Sequence, residues 1–225
     1  EDNEINGLTL GGVGTGTTIT NVEVIGNQDD GIEFFGGTVN ASNLLVWGQG
    51  DDGLDIDQSY AGTISNAIVI ANSTSDHGLE IDGPEGSMQG SFKLENITLI
   101  GDGTAANGEY ADFRKGALGS INNLYAYGFQ AGKDFELDAE ADSASFEAGT
   151  LTFSNIEIVI PDGSSLTGGD LFNDKSDTPN AMFEDAKKLN GESFGKGVTK
   201  ETSSVGADRS AFSWTFANYK EAIRE

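Results

Sequence analysis

The chain has 225 residues and no cysteine, only 3 prolines, one histidine, and 12 basic residues against 37 acidic ones. Without cysteine there is no disulfide framework and no thiolate metal site, although this does not place the protein in a compartment, since secreted proteins can also lack cysteine. A lone His77 excludes a multi-histidine metal site and a second histidine base. The formal charge of -25 repels nucleic acid and anionic membranes alike. Divalent cations, cationic surfaces and neutral glycans remain as partner classes. No apolar run approaches the roughly 18 residues of a membrane span, and no leader-like stretch opens the chain. The expectation is no transmembrane segment and a mature or truncated product.

Glycine is plentiful, with 32 residues, and it punctuates a repeat. The repeat has a turn residue, then a short triplet with apolar flanks, a gap, and an Asn followed by an alternating apolar strand. The triplets are centred on Thr9, Glu33, Asp55, Glu80, Asp112 and Glu136, and the matching Asn residues are Asn21, Asn43, Asn66, Asn96, Asn123 and Asn155. The Asn spacings of 22, 23, 30, 27 and 32 residues fall in the range of solenoid repeats. The pattern predicts an all-β chain, a right-handed parallel β-helix of about six coils. The hand follows from the right-handed bias of parallel β crossovers. Residues 1–161 carry the coils, and 162–225 form a non-repetitive tail.

Coils stacked at about 4.8 Å align equivalent residues in columns. With the triplet flanks turned inward, the middle residues form an outward column of Glu33, Asp55, Glu80, Asp112 and Glu136. Beside it run Phe35, Asp57, Asp82, Arg114 and Asp138 on one flank and Asp30, Asp52, His77, Glu109 and Lys133 on the other. Like charges at that spacing repel by about 1 kcal/mol even in water. No cofactor is required, but hard oxygen ligands so close suit Ca²⁺, and the metal candidates are Glu33, Asp55, Asp57, Glu80 and Asp82. The alternative is a solvated acidic face. The Asn column is expected to form an interior ladder of stacked amides, which would bury Asn96 of the Asn96-Ile97-Thr98 sequon.

The strands after each Asn leave a second set of apolar side chains outside. These are Leu45, Ile68 and Tyr125, together with Ile25, Trp47, Ile70, Ile100, Tyr127 and Val159. A face of that size needs a cover. The tail offers one, with an amphipathic helix over residues 181–189 and an aromatic segment in which Phe212, Trp214 and Phe216 would be buried. The functional alternative is a glycan platform on Trp47, Tyr125 and Tyr127.

Three stretches carry a family resemblance: Asn3-Glu4-Ile5-Asn6-Gly7-Leu8-Thr9-Leu10, Asp29-Asp30-Gly31-Ile32-Glu33-Phe34-Phe35-Gly36-Gly37 and Asp51-Asp52-Gly53-Leu54-Asp55-Ile56-Asp57. Over about residues 1–100 the chain resembles an uncharacterised family of exported Bacteroidota β-helix proteins, many of them lipoproteins or type IX secretion cargo. Gly206-Ala207-Asp208 and Phe212-Ser213-Trp214 resemble that family's C-terminal end. The resemblance implies an extracellular or outer-membrane-surface location and further β-helical sequence ahead of residue 1. It transfers no activity. A weaker resemblance links Asp29-Asp30, Asp51-Asp52, Ser75-Asp76-His77-Gly78 and Arg114-Lys115 to polygalacturonase-type hydrolases. Here His77 follows Asp rather than Gly, Arg114 and Lys115 are adjacent, and no Asn-Thr-Asp occurs.

These readings favour a cell-surface or secreted, non-enzymatic scaffold or binding module for a glycan or a surface protein. The runner-up is a polysaccharide-active hydrolase or lyase using Asp30, Asp52 and His77. The first coil, with Leu8-Thr9-Leu10 at its edge, is expected to need a preceding β-helical segment or a partner chain.

Overall fold

The computed structural model describes residues 5–103, 108–163, 171–184, 196–197 and 205–223. Two parallel sheets face each other. The first contains β1 (Leu8–Gly11), β3 (Ile32–Phe35), β5 (Leu54–Asp57), β7 (His77–Asp82), β9 (Glu109–Arg114), β11 (Phe135–Leu137) and β13 (Phe172–Asp174), stacked in that order. The second stacks β2 (Ile19–Ile25), β4 (Ala41–Trp47), β6 (Thr63–Ile70), β8 (Phe92–Ile100), β10 (Gly119–Tyr127), β12 (Leu151–Ile158) and β14 (Lys196–Gly197). The chain alternates between the sheets, so each coil adds one rung to both. This is a right-handed parallel β-helix. β13 and β14 continue the stack beyond residue 161, inside the segment expected to be non-repetitive.

The triplet register is in phase throughout: Thr9, Glu33, Asp55, Glu80, Asp112, Glu136 and Asn173 lie in one column. Their apolar flanks fill the core, among them Ile32, Phe34, Leu54, Ile56, Leu79 and Ile81. The glycine ahead of each early triplet is a packing requirement, because its α-carbon faces the opposite sheet. A Cβ on Gly31 would lie 2.2 Å from Val46 Cγ1, and one on Gly53 2.4 Å from Val69 Cγ1.

The Asn ladder exists, but not in the interior. Asn43 Nδ2 donates to Asn21 Oδ1 at 3.0 Å and Asn66 Nδ2 to Asn43 Oδ1 at 2.7 Å, with Asn123 likewise bonded to Asn96. Asn21 and Asn155 are exposed and the others half-buried. All six sit at φ between 53° and 67°. In this left-handed region Asn is favoured over other residues with a side chain. One such residue breaks the strand alternation, so that Ile64 and Ala67 on either side of Asn66 both face the core. The bend turns the strand around a corner and directs the amide outward along it.

The outer apolar face of the second sheet is covered by residues 205–223. Leu45, Ile68, Ile70, Ile100, Tyr125 and Tyr127 pack with Phe212, Ala217 and Ile223. Two backbone contacts fix the segment across the coils, Ala207 N–H donating to Thr98 Oγ1 and Asp208 N–H to Asn66 Oδ1. Glu23 then accepts the Phe216 and Ala217 N–H groups at the start of α3 (Phe216–Tyr219). Of the three aromatics expected to be buried only Phe212 is; Trp214 and Phe216 are 45% and 47% exposed. The reason is geometric, since Phe212 lies on the face while the next turn lifts the other two rings off it.

The expected 181–189 helix is described only as α2 (Ala181–Glu184), the remainder lying outside the described residues. Its Phe183 joins the inner core rather than the outer face, packing on Phe153, Phe172 and Phe146 of α1 (Glu140–Glu147).

Candidate functional site

The outer face of the first sheet holds the acidic columns. Their carboxylates are sunken rather than solvated: Glu33, Asp112 and Glu136 are buried, and Asp55 and Glu80 are half-buried. Side chains on adjacent rungs stand so close that each shields its neighbours from water.

Asp30, Asp52 and His77 lie one above another on three coils. Asp30 Oδ1 accepts the Asp52 N–H at 3.1 Å, and Asp52 Oδ1 accepts both the His77 N–H and His77 Nδ1 at 2.8 Å. Burial alone would lower the His77 pKa, but the hydrogen bond and charge of Asp52, helped by Asp76 and Asp112, raise it to about 9. Asp30 is pushed up to about 7, chiefly by burial and further by Asp52, Asp29 and Glu33, against the Asp52 N–H that lowers it. Burial, then the charges of Asp30, Glu33, Asp52 and Asp57, raise Asp55 well above the usual carboxylate range.

Oxygen and nitrogen ligand atoms converge within 4.8 Å of one another in several places: Asp30 with Glu33 and Asp55, Asp52 with His77 and Glu80, and Asp112 with Glu136 and Asp138. Of the expected metal ligands, the structure therefore brings Glu33 and Asp55 together, but with Asp30. It places Glu80 with the Asp52–His77 pair instead. Asp57 and Asp82 join none of these groups; Asp82 is held by Arg114 Nε at 2.8 Å and Lys115 Nζ at 2.6 Å. Arg114 also pairs with Glu80, Lys175 with Glu136, and Lys133 with Glu109 at 3.3 Å. The cations gather on the later coils. Among the described residues no cation pairs with Asp30, Glu33 or Asp55; Glu33 is hydrogen-bonded to the neutral amide of Asn6 and to Asp55.

The aromatic platform expected on Trp47, Tyr125 and Tyr127 is absent as a surface. Tyr125 and Tyr127 are 2% and 5% exposed beneath the C-terminal segment, with Arg209 set over both rings. Only Trp47 is half-exposed, its ring 6.4 Å from that of Phe216. The chain itself occupies the site proposed for a sugar.

Sequence reasoning missed Asp134. It converges with Glu109 and Glu136, and burial followed by the charges of those two raises its pKa to about 7. The signal was its column: Leu79, Ala111 and Phe135 are in register, so Asp134 stands just ahead of its triplet, where the earlier coils carry glycine, and two residues before the outward Glu136. A charged residue there has to reach a polar partner, and Asn173 supplies one at 3.2 Å.

Two parallel sheets that gain one rung each per coil define the class, a parallel β-helical protein. The family model described as a pectate-lyase-like β-helix domain matches residues 1–215, and the chain belongs to that family. Neither the curated proteins nor the solved structures give a match.

Proposed function

We propose that the chain is a non-enzymatic β-helical binding module of a secreted or cell-surface protein, whose acidic face takes Ca²⁺ and, through it, a glycan or a surface protein. The observation that carries this is the Asp30–Glu33–Asp55 group, three carboxylates within 4.8 Å with no cationic partner among the described residues. A hard divalent ion takes six to eight oxygens and would offset the mutual repulsion that adds to burial in raising these groups. Open coordination positions on such an ion suit hydroxyl or carboxylate oxygens of a ligand. The resemblance of residues 1–100 to exported β-helix proteins supports an extracellular or outer-membrane-surface location.

The same geometry argues against catalysis. A general base has to be free to take a proton. His77 is held as the charged partner of Asp52, and Arg114 is engaged by Glu80 and Asp82. One observation favours the polysaccharide-active alternative: Asp30, raised to about 7 and bonded to the Asp52 backbone on the next coil, could donate a proton near neutrality.

Incubating the protein with acidic and neutral polysaccharides, with and without Ca²⁺, separates the readings. Ca²⁺-dependent binding by calorimetry, without new reducing ends or unsaturated products, is the expected result. Product release that disappears in a folded Asp52→Ala variant would replace the binding reading by the enzymatic one.

A further inference from the structure

The outer surface of the second sheet is divided by the Asn corner. After the corner lie the apolar side chains that residues 205–223 cover, and ahead of it lies a face of different composition. There Ile19, Ala41 and Ile64 turn toward the core, so the residues on either side of each point outward. These are Thr18 and Thr20, Asn40 and Ser42, and Thr63 and Ser65, two columns of short polar side chains on three successive coils. All six are exposed or half-buried, and they line an open groove of about 500 Å³. The columns return as Ser120 and Asn122, then Thr152 and Ser154, on β10 and β12. Ser120 and Thr152 line a second groove, of about 350 Å³, with Gln89 and Ser91. Between the two grooves β8 places Lys93 and Glu95 in the same columns.

The groove side chains are ordered in advance. Thr20 Oγ1 and Ser42 Oγ share a hydrogen bond at 3.1 Å, Asn40 Oδ1 accepts the Thr63 N–H at 2.9 Å, and Ser154 Oγ donates to Asn122 Oδ1 at 2.9 Å. Short side chains, with Thr stiff at χ1, lose little rotamer entropy when a ligand arrives. A hydroxyl has one donor and two acceptor sites, so each ladder bond leaves capacity for a ligand.

The chemistry of the groove narrows what it can take. Among the described residues lining the larger groove there is no carboxylate to hold a cation, and no aromatic or Arg anchor of the kind that dominates protein–protein interfaces. The formal charge of -25 repels anionic polymers. A surface that presents the same hydroxyls every ~4.8 Å along the helix axis is matched by a neutral ligand that also repeats.

The geometry points to this face as a binding site for a neutral polysaccharide lying along the helix axis, its hydroxyls replacing water on the Thr, Ser and Asn side chains of successive coils. The site is on the opposite sheet from the acidic columns and needs no ion, so it stands or falls separately from the Ca²⁺ reading.

The test is native electrophoresis in chelator through gels cast with a soluble β-glucan, a mannan or a dextran, with polygalacturonate as the anionic control. At least one neutral polymer should retard the protein, and polygalacturonate should not. Thr63→Lys with Ser65→Glu copies onto β6 the pair that β8 already carries in the same columns. It should weaken binding about tenfold, because a ligand would then have to strip water from two charges. Lys93→Thr with Glu95→Ser joins the two grooves and should tighten binding, and both double variants should melt close to wild type. The proposal fails if no neutral polymer retards the protein in chelator, if retardation appears only with Ca²⁺, or if both variants bind as wild type does. Equal retardation by polygalacturonate would also overturn it, because the ligand would then not be selected by its lack of charge.

Discussion

His77 and Asp52 are joined twice: a single carboxylate oxygen, Asp52 Oδ1, stands 2.8 Å from both the backbone nitrogen and the Nδ1 of His77 on the next coil. The ring is thereby fixed over the acidic face and its charge is retained. Because the folded pKa, about 9, exceeds the ordinary value, the contribution of this pair to stability is complete below about 6.5 and is lost as the pH rises through about 9. His77→Gln should cost about 1.5–3 kcal/mol on the acid side of that window, as for hydrogen bonds to charged groups. Urea unfolding across the window should show the gap from wild type narrowing with rising pH. A gap independent of pH would mean that His77 is neutral and acts only by packing.

Raised carboxylates act in the same direction. Asp30 and Asp134, both at about 7, hold protons in the folded state that the unfolded chain has released. Their contribution is greatest below the ordinary value of about 3.9 and is lost as the pH rises through about 7. In chelator the melting temperature should therefore fall between about pH 5 and 8, and millimolar Ca²⁺ should offset the fall by binding only the folded face. Glu33→Gln with Asp55→Asn should weaken the Ca²⁺ effect. Melting curves that Ca²⁺ leaves unchanged, or that Mg²⁺ moves equally, would reduce the face to a set of shielded acids.

The bend gives a backbone prediction. Asn66 combines φ of 59° with a ladder bond to Asn43 and an acceptor role for the Asp208 N–H. Asn66→Val loses all three, and should cost about 2–4 kcal/mol from left-handed strain and broken hydrogen bonds. Asn66→Gly keeps the backbone conformation and should cost clearly less. Equal losses in chemical denaturation would show that the amide contacts, not the φ, set the requirement.

The repeat was legible because each coil imposes the same demands: glycine where the sheets approach, apolar flanks, and Asn at the corner. The side of the corner on which the Asn amides lie was not legible, since a column of Asn fits an interior or an exterior ladder equally. Only the backbone φ distinguishes them. The last rung was hidden for another reason. In β13 the position after Asn173 is Asp174, buried at 3% where the repeat has an apolar residue. Asp174 is satisfied there by Ser143 Oγ at 2.6 Å and by the Ser176 and Asn180 N–H groups, so the apolar periodicity ends before the coils do. At the site, the acidic columns could be read from register alone. The grouping of Asp30 with Glu33 and Asp55, and the loss of Asp82 to Arg114 and Lys115, depend on side-chain reach that spacing does not encode.

The C-terminal segment supplies the last prediction, because one ring in it bears most of the packing. Phe212 is fully buried against Leu45, Ile68, Tyr125 and Tyr127, whereas Trp214, two residues on, is 45% exposed with its Nε1 bonded to Ala211 O. Phe212→Ala should cost about 3–5 kcal/mol, the range for truncating a buried aromatic, and Trp214→Ala well under half of that. Loss of the cover would bare the two tyrosines and the aliphatic column beside them. Phe212→Ala should therefore also bind an apolar dye that wild type and Trp214→Ala do not. Glu23→Gln, which weakens the acceptor for the first N–H groups of α3, should fall between them, at about 0.5–2 kcal/mol. If Phe212→Ala unfolds like wild type and binds no dye, residues 205–223 are not what keeps the outer face out of water.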